Sequence, residues 1–136
     1  MEDVPKSFQW VEARAKWSVR EAFQVLCRVA ADDTAAAQAL GQRATTYRFE
    51  QHTPVRAAVI RRDESALASE TAIVFSLFGG EIVISRLIGS DTTELFRCRP
   101  IIHRNGEPML TIRSDAMYPW EISRRALEPL IFAHDA

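Results

Sequence analysis

The sequence predicts a two-layer α+β domain: an N-terminal helix or helices packed on an antiparallel sheet of about five to six strands, with a C-terminal helix. Three observations predict it. Apolar residues recur at three- and four-residue steps from Val19 to Ala30. The period then changes to two, and short turns at Gly79-Gly80 and Asn105-Gly106 punctuate the strands. After Pro119 the helical period returns.

Residues 1–6 read as a loose end, and Ser7 to Lys16 as a short amphipathic helix or irregular lead-in. Ser18-Val-Arg-Glu21 is a capping box, in which the Ser18 hydroxyl accepts from the Glu21 amide. It starts a helix at Val19 or marks a bend in a longer one. Val19, Ala22, Phe23, Leu26 and Ala30 form the apolar stripe, widened by Val25 and Val29, with Arg20, Gln24 and Arg28 opposite. A stripe this wide suits a helix lying on a sheet. Asp32-Asp33-Thr34 can cap a second segment from Ala35 to Leu40, and Gly41 is a natural stop. One helix or two over 18–40 stays open.

Thr46 to Phe49 is a short strand, broken at Thr53-Pro54, and Val55 to Arg62 is a second. Asp63 to Ser69 reads as a polar loop with one helical turn at Ser65-Ala66-Leu67-Ala68. Glu70 to Ile88 is the central hairpin. A two-residue turn at Gly79-Gly80 sets Phe78 opposite Glu81, Leu77 opposite Ile82, Phe75 opposite Ile84 and Ile73 opposite Arg86. One face then carries Ile73, Phe75, Leu77, Ile82 and Ile84 and must be covered, and the Val19-Phe23-Leu26 helix supplies the cover. The other face, with Val74, Ser76, Val83 and Ser85, is too apolar for plain solvent surface and too small for a full core.

Thr93 to Arg104 and Glu107 to Ser114 form the last hairpin. A two-residue turn at Asn105-Gly106 predicts Arg104 opposite Glu107, Ile102 opposite Met109 and Ile101 opposite Leu110. Pro100 lacks an amide hydrogen and calls for a strand edge or a bulge. Trp120, Ile122, Ala126, Leu127 and Leu130 follow helical steps until Pro129 ends or bends the helix. The element order also suits a curved sheet wrapped around a helix, as in cystatin-like folds, an analogy that carries no function.

The chain has 136 residues, enough for a single core, and 47% of them are hydrophobic. The whole chain, 1–136, therefore reads as one domain. No run reaches the roughly 18 apolar residues of a membrane span. The acidic start MEDVPKSFQW lacks the apolar stretch of a secretory signal, so a cytoplasmic location is expected. Net charge is -1, with 17 basic and 18 acidic residues, which gives no global field for nucleic acid or anionic lipid. Only Lys6 and Lys16 are lysines, and alanine is abundant, which reads as genome composition of a bacterial type rather than as a phosphate-reading device. Cys27 and Cys98 are too few for a disulfide framework and fall at apolar positions.

No chemistry-bearing motif stands out. His52, His103 and His134 are far apart and lack a neighbour at metal-ligand spacing, so neither a metal nor a cofactor is predicted. Glu50 and His52 can share a strand face as a weak acid–base pair. Tyr47, Phe49, His52 and His103, with Trp120, are candidates to line a ligand pocket between helix and sheet. Trp10 and Trp17, together with the Val74, Ser76, Val83 and Ser85 face, are candidates for an interface. The function predicted is a non-catalytic protein-interaction or accessory domain that binds a protein partner or itself, a homodimer being the simplest form. The alternative is a small-ligand binder or enzyme using the helix–sheet pocket.

Overall fold

The computed structural model describes residues 8–42, 44–64 and 70–133. The expected helical turn at Ser65–Ala68, the N-terminal residues 1–6 expected to form a loose end, and His134 lie outside the described residues. The order is α1 (Trp10–Lys16), α2 (Val19–Ala39), β1 (Thr45–Thr53), β2 (Arg56–Asp63), β3 (Glu70–Phe78), β4 (Glu81–Ile88), β5 (Asp91–Ile102), β6 (Pro108–Ile112), β7 (Asp115–Met117) and α3 (Pro119–Ile131). The predicted two-layer α+β class is what the chain adopts, with seven strands among the described residues in place of five to six.

Residues 19–39 form one helix, not two. The Ser18 hydroxyl caps it, accepting from the Glu21 amide at 3.1 Å. Asp32 and Asp33 do not break it: Thr34 turns its hydroxyl back to the Ala30 carbonyl at 2.7 Å, so that polar position is satisfied inside the helix. Gly41, at φ +66°, lies just past the end.

The strands follow one another in a seven-stranded antiparallel meander, β1 through β7 in sequence order. The β3–β4 register is the predicted one: Phe78 pairs with Glu81, Leu77 with Ile82, Phe75 with Ile84 and Ile73 with Arg86. Gly79 and Gly80, at φ +58° and +83°, both sit in the left-handed region a primed two-residue turn requires.

The β5–β6 hairpin corrects the sequence reading by one residue. Ile102 pairs with Pro108, Ile101 with Met109 and Pro100 with Leu110. The Gly106 amide bonds the His103 carbonyl at 2.7 Å, and the His103 amide bonds the Glu107 carbonyl at 2.8 Å. The loop is thus three residues, 104–106, with Gly106 left-handed at φ +86°. This register places Leu110 and Ile112 on the same face as Cys98, where they are buried. Pro100 lies past the end of β4, whose last partner is Ile82 with Cys98, so no ladder bond to β4 is lost there. The chain after Ile112 adds a strand the sequence reading lacked, β7, through a tight turn with Arg113 at φ +59°.

The inner face of the sheet holds Ala57, Val59, Ile73, Phe75, Ile82, Ile84, Cys98 and Leu110, closed by Phe23 and Leu26 of α2 and Ile122, Ala126 and Leu127 of α3. The strongly apolar face of the central hairpin is thereby covered as predicted. A second, smaller cluster of Ala58, Ile60, Ala72 and Val74 lies on the opposite face, with Leu87 against it.

Candidate interaction site

The two longer helices lie side by side across the inner face of the sheet, and side-chain bonds fix their relation. Ser123, fully buried on α3, donates to the Asp33 carboxylate on α2 at 2.7 Å. Beyond their other ends, the Tyr47 hydroxyl donates to the Ile131 carbonyl at 3.0 Å and approaches the Gln42 amide oxygen at 3.3 Å. The helices therefore run in the same direction. Arg61, buried in β2, donates to the Leu130 carbonyl at 2.7 Å and pairs with Asp63 at 3.2 Å. These bonds satisfy carbonyls at the end of α3 that no further turn can reach. Pro129 does not end the helix; it sits within it, two residues before the last.

Between α2 and α3 runs an open groove of about 390 Å³. The sequence explains it. Ala36 and Ala37 face α3 where a larger side chain would fill the space, and Leu127 and Ile131 complete the lining beneath. Three large apolar side chains stand around it in solvent: Leu40 is 60% exposed, Trp120 55% and Phe132 45%. Trp120, Arg124 and Glu128 follow one another at four-residue steps along α3, and the C-capping Phe132, one further step on, ends the ridge they form. Arg124 and Glu128 are mostly exposed and pair within the helix at 3.6 Å.

The outer face of the sheet carries a second cavity, of about 450 Å³, over Ala58, Ile60, Ala72 and Val74. Its rim holds His52, Arg56 and Glu70. Arg48 bonds Glu50 at 2.7 Å and reaches across β2 to Glu70 at 3.3 Å. His52 lies 3.0 Å from the other Glu50 oxygen. The expected Glu50–His52 pair thus forms. The Arg48 hydrogen bond, and then the His52 one, hold the Glu50 carboxyl below the usual carboxylate range. That makes Glu50 a poorer base and favours a surface charge network.

The predicted pocket set is not assembled. Tyr47 and Phe49 point into the inner layer, Tyr47 buried and Phe49 half-buried against the core. His52 is exposed on the outer face, because alternate residues of a strand point to opposite sides. His103 sits in the β5–β6 turn, its Nδ1 3.2 Å from Asn105. Phe23, Leu26, Phe75, Ile82 and Ile84, each fully buried, fill the space between α2 and the sheet.

The predicted interface residues divide. Trp10 is 65% exposed. Trp17 is a core residue: it is only 7% exposed, and its indole nitrogen donates to the Met109 carbonyl at 2.8 Å. Val74 lies buried in the floor of the outer cavity. Ser76 and Ser85 are half-buried on the same face, and Val83 is buried opposite Arg97, which is held by Glu94 at 2.8 Å and Glu81 at 3.4 Å. The sequence reading missed Leu40 and Phe132 and gave Trp120 the role of pocket lining. The available signal was the four-residue step from Trp120 to Phe132, whose apolar ends fall off the buried stripe of α3.

Among the described residues no group of histidine, cysteine and carboxylate side chains is placed to hold a metal ion. No described helix is long and apolar enough to cross a membrane. Comparison of the chain with protein-family models, curated proteins and solved structures finds no match.

Proposed function

We propose that the chain is a non-catalytic protein-interaction domain of the cytoplasm that associates with itself. The observation that carries this reading is the alanine-floored groove between α2 and α3, walled by exposed Leu40, Trp120 and Phe132. Large apolar side chains clustered around a depression are what interfaces use as anchors. The helices behind the groove are held rigidly by the Asp33–Ser123 and Tyr47–Ile131 bonds, so the surface is presented without prior rearrangement. Light scattering coupled to size exclusion tests it. Wild-type chain is expected to run above monomer mass, and Trp120→Glu to run as a monomer with unchanged far-UV circular dichroism. A wild type that stays monomeric at all concentrations overturns the reading.

A second reading, a small-ligand site, moves from the helix–sheet interior to the outer cavity. The Arg56 side chain stands on its rim above an apolar floor, with no hydrogen bond or ion pair to the side chain of another described residue. That combination suits a small amphipathic anion. Equilibrium binding of a medium-chain carboxylate that is lost in Arg56→Ala supports it; equal binding by both proteins removes it.

A further inference from the structure

We infer that the occupant of the α2–α3 groove is the α3 ridge of a second copy of this chain, laid antiparallel across a two-fold axis near position 126. This rests on the self-association reading above and specifies its geometry. The ridge is self-complementary in that direction alone. Trp120 and Phe132 lie six residues on either side of Ala126, and Arg124 and Glu128 lie two on either side. An antiparallel two-fold therefore sets Trp120 of each copy against Phe132 of the other, and Arg124 of each against Glu128 of the other.

The groove carries the same symmetry. Because α2 and α3 run in the same direction, Leu40, the C-cap of α2, stands at the Phe132 end and Asp33 at the Trp120 end. A Trp120 indole arriving at the far end of the second copy thus meets two exposed apolar side chains, Leu40 and Phe132. From Trp120 to Phe132 the ridge spans roughly 18 Å, at about 1.5 Å per residue, so both apolar ends and both charges engage together. A parallel arrangement would set Arg124 on Arg124 and Glu128 on Glu128, which charge repulsion disfavours. The existing Arg124–Glu128 pair within each helix is long, at 3.6 Å, and both groups are exposed enough to turn outward.

Charge reversal at these two exposed positions tests the pairing without touching the core. Arg124→Glu alone and Glu128→Arg alone are each expected to weaken self-association by at least about tenfold in sedimentation equilibrium, because each places like charges opposite one another twice. Mixing the two single variants is expected to restore association as a one-to-one heterodimer, since each then meets its opposite. The double variant R124E/E128R is expected to associate like wild type. Far-UV circular dichroism checks that each variant folds. If single reversals leave association at the wild-type level, or the mixed variants do not pair, the antiparallel geometry is overturned while self-association stands. If wild type does not associate at all, both are overturned.

Discussion

At the scale of single residues, the two cysteines show how burial decides chemistry. Cys27 on α2 and Cys98 on β5 are both buried and unbridged. Burial pushes the Cys27 thiol up to about 11 and the Cys98 thiol up to about 12, with the Glu81 carboxylate adding to the second. Neither is a thiolate near neutral pH, so neither can act as a nucleophile there. The same shifts link stability to alkaline pH. The unfolded chain ionises its thiols near the ordinary value of 9.0, while the folded chain keeps both protons until pH 11 and above. The thiols' contribution to stability is therefore complete below pH 9.0 and falls as pH rises from there toward 11 and 12. Denaturant melts at increasing pH are expected to show that decline, and Cys27→Ala to flatten it. At neutral pH, a chromogenic thiol reagent is expected to label neither cysteine until denaturant is added. Trp17 makes the same point about position. The sequence shows three tryptophans alike, and only the fold decides that Trp17 bonds Met109 while Trp10 and Trp120 stand in solvent.

At the scale of elements, local chemistry was legible where it leaves one geometric solution. Gly79-Gly80 admits a two-residue primed turn, and that turn fixes every pair from Phe78–Glu81 to Thr71–Ile88. Asn105-Gly106 suggests the same turn, and the observed register differs from that expectation by one residue. Asn-Gly also suits a three-residue loop, in which Asn105 accepts from the Glu107 amide at 3.0 Å and only Gly106 need be left-handed. What decides between the loops is tertiary: the observed register buries Leu110 and Ile112 beside Cys98, and the expected one would have turned them outward. The Phe8 ring also closes over the turn, and a Cβ on Gly106 would stand 3.4 Å from it. Gly80→Ala tests the central hairpin. Space around Gly80 is open, so only the backbone objects, and a left-handed alanine costs about 1–2 kcal/mol. Chemical denaturation is expected to show a loss of that size with β-sheet content unchanged. The groove was not legible at this scale, because its walls come from the end of α2 and the far end of the chain, and no periodicity joins Leu40 to Phe132.

At the scale of the whole molecule, the question is whether one core makes one cooperative unit. The inner layer draws on α2, α3 and six of the seven strands from β1 to β6, with Met117 of β7 packed against it, and long-range bonds tie its margins. Trp17 is joined to Met109 on β6, Arg61 on β2 to Leu130, and Tyr47 on β1 to Ile131. In the monomeric Trp120→Glu variant Trp17 is a selective reporter, since the remaining Trp10 is already mostly exposed and changes little on unfolding. Its environment is the junction of α1, α2 and β6, whereas far-UV circular dichroism sees every element. If the core is continuous, denaturation followed by tryptophan fluorescence and by circular dichroism must coincide. Phe23 is the sharpest probe of that continuity, because it is fully buried on α2 against the sheet. Phe23→Ala removes its transfer free energy and leaves a cavity, a loss of about 3–5 kcal/mol. Both transitions are expected to move together by that amount, with the denaturant dependence unchanged. A fluorescence transition that separates from the circular dichroism would mean that the β6 end opens on its own. In that case the rigid backing of the α2–α3 groove could no longer be attributed to a single core, and presentation of the Trp120 ridge would depend on which part of the chain remained folded.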